Sequence, residues 1–188
     1  KAIILWENSM KTLETCLSKT SIEHIICTKL GDRLPFPKSL IINTVIKYVK
    51  RMVPSWNIPN IIWFNDTLKN MSKTFEQPKI SKECHAFLQY TGGTTGISKG
   101  AILTHKNVLA NILQSVNWYG FKVSDEGEVA INALPLSHIF ALVAICFTSL
   151  STGSCNVLIT NPRDINSFVG ILTKTKFSNI SGVNTLFK

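Results

Sequence analysis

Residues 90–100 read YTGGTTGISKG, and side chains of these types in this order suit a polyphosphate. Gly92, Gly93 and Gly96 carry no side chain beyond hydrogen, so the backbone can turn tightly and bring its N–H groups against an anion. Thr91, Thr94, Thr95 and Ser98 add hydroxyls that donate to phosphate oxygens or ligate a metal ion. Lys99 brings a point positive charge to the edge of the loop. The spacing excludes two commoner phosphate loops. A Walker-type loop needs Gly directly before the Lys and Ser or Thr after it, whereas Ser98 precedes Lys99 and Gly100 follows. The dinucleotide fingerprint Gly-x-Gly-x-x-Gly fails because Thr91 holds its first position. A surface turn that binds nothing has no need of four hydroxyls and a lysine.

Such a loop has to be held by regular structure. An apolar strand over 86–90 feeds it, and a helix over about 105–118, with Thr104 as N-cap, follows it. Upstream, a strand at 2–5, a helix at 10–19 and a strand at 22–28 make a βαβ unit. A helix over 39–52 puts Ile41, Val45, Tyr48 and Met52 on one stripe and gathers Lys47, Lys50 and Arg51 on another. A strand at 61–64 and a short helix capped by Asp66 lead into a polar stretch around 70–83, the expected joint between subdomains. Downstream, strands at 129–134, 156–159 and 177–181 alternate with helices at 139–148 and 165–173. Alternation of this kind predicts an α/β fold of layered, mainly parallel sheets flanked by helices.

The whole of 90–100 resembles the phosphate-binding signature of the adenylate-forming enzymes, Tyr-Thr-(Ser/Gly)-Gly-Thr-Thr-Gly-x-x-Lys-Gly. The run ALPLSHIFA at 133–141 resembles that family's next motif. LITNPRD (158–164), ISGVNTLF (180–187), KYVKRMVPSWNIP (47–59) and HIICTKLGD (24–32) are similar to the bacterial long-chain fatty-acyl-CoA ligases in particular. One departure stands at Ser137, where that subgroup usually has Tyr. The resemblance runs the length of the chain, yet family members are several times longer than 188 residues. The chain is therefore expected to be part of the large N-terminal domain, without the C-terminal domain and its catalytic lysine. The later Tyr-Gly-x-Thr-Glu and Thr-Gly-Asp segments are not found either: Phe121 follows Tyr119-Gly120, and Ser154 follows Thr152-Gly153.

The resemblance implies ATP-dependent activation of a long-chain fatty acid through an acyl-adenylate, then thioester formation with coenzyme A. It assigns the nucleotide to Tyr90, Thr91, Gly92, Gly93, Thr94, Thr95, Gly96, Ser98, Lys99 and Gly100. Thr94 and Thr95 would face the β- and γ-phosphates, and Thr91 would touch Mg²⁺. His138 would sit at the mouth of the acyl pocket near the reacting carboxylate, with Phe140 and Val143 as pocket walls. Read without the resemblance, His138 caps the helix that follows it, and Phe140 and Val143 are core. His105 reads as helix-start structure, and His24 and His85 have no nameable partner. Catalysis needs groups held within tight limits, so the chain alone is expected to make no acyl-adenylate. The alternative is a truncated relic that binds nucleotide or acyl chain without turnover.

Hydrophobic residues are 45% of the chain and charged residues 16%, ample for a core. The net charge of +9 comes from scattered lysines without aromatic interleaving, a helix-turn-helix or a zinc pattern, which argues against nucleic acid. Lys47, Lys50 and Arg51 would rest on an anionic membrane or form a solvated face. Five cysteines, odd in number and without a Cys-x-x-Cys pair, read as buried reduced thiols of a cytoplasmic protein, peripheral on the inner face of the membrane if the basic face meets lipid. The most apolar run, 139–150, is too short to span a bilayer, which needs about 20 residues.

Overall fold

Apolar β-branched residues at the N-terminus form the first strand of a small parallel sheet. The computed structural model describes residues 1–69, 71, 74–91, 98–119 and 127–187, and the chain divides into two units, Lys1–Gln77 and Pro78–Lys188. In the first unit, β1 (Ala2–Trp6), β2 (His24–Thr28) and β3 (Ile62–Trp63) lie side by side in that order. The pairing is parallel, with Ile3 opposite Ile25 and Leu5 opposite Cys27. Helix α1 (Met10–Cys16) with a 3-10 turn at Leu17–Lys19 makes the crossover, matching the expected βαβ unit. Met10, Leu13, Ile25, Cys27 and Ile58 form its buried core. The Lys11 ammonium, chiefly, and the Asn57 amide hold the Glu14 carboxyl below its usual range, and the Asn57 N–H to Glu14 bond (2.9 Å) ties α1 to the chain before β3.

Helix α2 (Lys38–Thr44) runs on as a π-helical turn, Val45–Val49. The extra residue in that turn rotates the residues after it, and the expected stripe does not face inward on either side of the turn. Ile46 is buried and Val45 half-buried, whereas Ile41, Tyr48 and Met52 are exposed. Gly31 lies against this helix: its N–H donates to Asn43 Oδ1 at 2.8 Å. A Cβ there would meet the Ser39 carbonyl at 2.7 Å, so only glycine fits. Lys47 does not belong to a free basic face, because its Nζ lies 3.6 Å from the buried Glu7 carboxylate. Helix α3 (Phe64–Lys69) closes the described part of the unit's regular structure.

The second unit opens with an antiparallel hairpin, β4 (His85–Thr91) and β5 (Lys99–Thr104). The sequence reads as a loop running directly into a helix; instead residues 99–104 return as a strand paired with β4. Helix α4 (His105–Tyr119) follows at once. Beyond it, β6 (Val129–Asn132) is the centre of a parallel sheet ordered β7-β6-β8, with β7 at Cys155–Leu158 and β8 at Asn179–Ser181. Residues 140–147, expected as a helix, are π-helical and lead into α5 (Thr148–Ser151). Helix α6 (Ile165–Lys174) is capped by Asp164, whose carboxylate accepts the Ser167 N–H. Ile131, Ala133, Ile159 and Phe168 form the core of this sheet layer. The Phe87 and Phe147 rings, 6.0 Å apart, pack β4 on the π-helix. The fold is α/β, with its one antiparallel pair confined to the hairpin among the described residues.

Among the described residues no helix is long and apolar enough to cross a membrane. The cysteines depart from expectation: all five are free, but Cys27 alone is buried, Cys146 is half-buried, and Cys16, Cys84 and Cys155 are exposed.

Candidate active site

In the sequence the glycine- and threonine-rich run lies between β4, which ends at Thr91, and β5, which begins at Lys99. Thr91 pairs with Lys99 and Tyr90 with Gly100, so the two strands clamp the base of the loop. The Ser98 hydroxyl donates to the Thr91 carbonyl at 3.4 Å, and the Thr91 hydroxyl to the Lys99 carbonyl at 3.5 Å. Gly92, Gly93, Thr94, Thr95 and Gly96 lie outside the described residues. Gly100 has a packing reason: a Cβ there would stand 3.2 Å from the Tyr90 ring, which lies across it.

Helix α4 adds no anion site of its own. The Thr104 hydroxyl accepts the Asn107 N–H (3.2 Å) while Asn107 Oδ1 accepts the Thr104 N–H (3.0 Å), a reciprocal cap with Asn in the usual Glu place. The two amides between them, His105 and Lys106, donate to the carbonyls of Cys84 and Lys82. These donors are therefore taken within the protein.

The segment joining β6 to the π-helix brings His138 toward the hairpin. Asn132, buried at the end of β6, fixes this segment: its Nδ2 donates to the Ala141 carbonyl (3.2 Å) and its Oδ1 accepts the Leu134 N–H (3.4 Å). From the hairpin side, Gln89 Nε2 donates to the Ser137 carbonyl at 2.9 Å. Tyr90, Thr91 and His138 thereby line one cavity of about 440 Å³, together with Gln89, Leu134, Pro135, Ser137, Ile139, Phe140 and Val183. Ser98, Lys99 and Gly100 are not among its walls. Ile139 and Phe140 also wall a second, largely apolar cavity of about 400 Å³, shared with Leu103, Val108, Val143 and Ala144.

His138 both caps and faces the site. Its Nδ1 accepts the Phe140 N–H at 3.3 Å, and a neutral imidazole that accepts at Nδ1 carries its proton on Nε2. The ring therefore offers one defined donor. Gln89 and Asn132 are not singled out by the sequence, although a polar residue inside each of the apolar runs FLQY and VAIN is the available signal. Among the described residues there is no group of three His, Cys, Asp or Glu side chains that could hold a metal by itself.

The sequence profile of the AMP-binding enzymes matches residues 2–188. The long-chain-fatty-acid–CoA ligase of Salmonella typhimurium is 46% identical over 187 residues, covering 99% of this chain and 33% of the relative. That of Haemophilus influenzae is 45% identical over 190 residues, covering 99% of the chain and 34% of the relative. That of Bacillus subtilis is 31% identical over 180 residues, covering 95% and 30%. The chain thus spans about a third of the length of the curated relatives it matches. Among solved structures, an anthranilate CoA ligase in complex with anthranoyl-AMP superposes with a TM-score of 0.71 at 18% identity, over 99% of this chain and 31% of that one. Apo MatB from Rhodopseudomonas palustris gives 0.62 at 19% identity, over 95% and 33%. These likenesses identify the fold as that of the N-terminal domain of adenylate-forming enzymes.

Proposed function

The chain belongs to the family of AMP-binding enzymes, and from that premise we propose that it is the nucleotide-loop portion of an ATP-dependent long-chain fatty-acid–CoA ligase. The observation that carries the reading is the cavity where the base of the phosphate loop, at Tyr90 and Thr91, meets His138. The likeness to long-chain ligases supports the substrate class.

In the reaction, a carboxylate oxygen of the fatty acid attacks the α-phosphorus of ATP, and the bond to the bridging oxygen of pyrophosphate breaks. Charge grows on the leaving pyrophosphate, where preorganised N–H and hydroxyl donors lower the barrier most. The hydroxyl-bearing Thr94 and Thr95 and the Lys99 ammonium are the side chains of the motif suited to meet that charge. The His138 Nε2–H is suited to hold the fatty-acid carboxylate in line, and the apolar cavity behind Phe140 to take the first part of the acyl chain. The thiol of coenzyme A then attacks the acyl carbonyl, the bond to AMP breaks, and the thiol proton passes to solvent or to a base.

Mg²⁺ would arrive with the nucleotide, with the Thr91 hydroxyl as one oxygen contact; among the described residues no group of three His, Cys, Asp or Glu side chains could hold the ion. When bound, the ion would neutralise phosphate charge. The five unpaired thiols support a cytoplasmic setting, where they stay reduced.

The test is fatty-acid-dependent exchange of labelled pyrophosphate into ATP by the native protein. Exchange stimulated by palmitate is expected, with none from the 188-residue chain by itself. ATP binding without exchange in the native protein would favour the non-catalytic module instead, and exchange by the isolated chain would overturn the requirement for the missing groups.

A further inference from the structure

We infer that Asn132, Thr148 and Asn156 are specificity-determining residues for the acyl chain, because they hold residues 140–147 in π-helical form and that form shapes the apolar cavity beside it. π-helical turns are rare, mostly single, and gather at functional sites; this one runs for eight residues, Phe140–Phe147. Three side chains brace it. Thr148 shares its N–H between the carbonyls of Ile145 and Val143, and its hydroxyl donates to the same Val143 oxygen, five residues back, at 3.0 Å. A threonine hydroxyl on an α-helix reaches only about three or four residues back, so this pair of bonds belongs to the wider turn. From the end of β6, Asn132 Nδ2 donates to the Ala141 carbonyl at 3.2 Å, and from β7, Asn156 Nδ2 donates to the Cys146 carbonyl at 3.4 Å. The sheet therefore grips the helix near both ends while Thr148 sets the pitch between them. Asn132, Ala141, Val143 and Thr148 are all buried, so water does not replace a bond lost there.

The register decides which side chains reach the cavity. Phe140, Val143 and Ala144 make its wall on this side, facing Leu103 and Val108 of β5 and α4. In an α-helical register each residue after Phe140 would turn further about the axis than it does here, which moves Val143 and Ala144 relative to Phe140. Phe147, whose ring packs on Phe87 of β4 at 6.0 Å, would leave its place as well. One turn thus sets both the wall of the cavity and the seat of the strand that carries Tyr90 and Thr91. The depth of the cavity, and with it the length of acyl chain it takes, follows from the three donors. The inference rests on the reading of the protein as a fatty-acid ligase.

The experiment measures pyrophosphate exchange by the native protein with octanoate, laurate and palmitate in turn. Thr148→Val keeps the shape and deletes the hydroxyl; the ratio of kcat/KM for palmitate to that for octanoate should fall roughly fivefold, the effect of one buried hydrogen bond, with the KM for ATP unmoved. Thr148→Ser keeps the donor and should keep the ratio. Asn156→Leu removes an independent donor to the same helix and should shift the ratio the same way, which decides the matter where Thr148→Val does not fold. Displacement of a fluorescent long-chain acid by the same three acids, without ATP, reads the cavity separately from turnover. A length ranking that the variants alter in displacement, with no exchange by the wild type, supports the inference about the cavity and sinks the ligase reading. An unchanged ratio in a folded variant, equal losses for every acid, or a serine variant that behaves like the valine one overturns the inference and leaves the ligase reading standing. Failure of every acid to displace the probe overturns both.

Discussion

His138 uses one nitrogen for structure and has one to spare, and a substitution can separate the two. In His138→Asn the shorter side chain can still accept the Phe140 N–H as a helix cap, but it cannot present the Nε2 donor to the cavity. We expect thermal stability near that of the wild type and a loss of roughly a hundredfold or more in palmitate-dependent exchange, the usual cost of one preorganised donor. Unchanged exchange would return His138 to a purely structural role. Gln89 acts one step further away, by tying β4 to the Ser137 carbonyl and so fixing the spacing between Thr91 and His138. Gln89→Leu keeps the volume and deletes the donor; the expected result is roughly a fivefold loss in kcat/KM for the fatty acid, with the KM for ATP unmoved, since a bond of this kind contributes about 1 kcal/mol. Equal damage to both substrates would point to a general disturbance of the hairpin.

At the scale of elements, Cys27 on β2 reports on the first sheet. Burial, chiefly, and then the Glu7 carboxylate push its thiol from an ordinary value near 9 up to about 11. Between those values the native thiol keeps its proton while the unfolded one loses it, so stability should fall as pH rises from 9 to 11. Equilibrium denaturation across that window, with Cys27→Ala as the control lacking the titration, checks the slope; identical slopes would remove Cys27 as its source. Most of the elements are legible in the sequence, because β1, α1, β2, α4 and α6 follow apolar periods and recognisable caps. β5 is not, since Lys99-Gly100 at its start reads as loop and its strand character comes from pairing with β4, residue against residue. The inward side of the helix at 38–49 is hidden for a related reason: a π-helical turn changes the period partway along, and no pattern of fixed spacing can track it. Within the site, the motifs single out residues 90, 91 and 138, which do line one cavity, while the buried Asn132 that holds the segment has meaning only once β6 and Ala141 are brought together.

For the molecule as a whole, the division between Gln77 and Pro78 falls in a stretch, 74–80, that is exposed throughout and free of regular structure. Limited trypsin digestion should therefore cut first after Lys79, leaving two protected pieces; first cuts inside β1–α1–β2 or β6–β8 would contradict that division. The order of strands in the second unit also bears on how a ribosome delivers this protein. β6 is central, yet its partner β8 begins at Asn179, some fifty residues after Val129. At a synthesis rate of about 5–20 residues per second, one edge of β6 waits roughly 3–10 seconds for its neighbour to leave the exit tunnel. Over that interval the nascent chain carries an open apolar edge, and the cell's holding chaperones have the opportunity to reach it before its own sequence does.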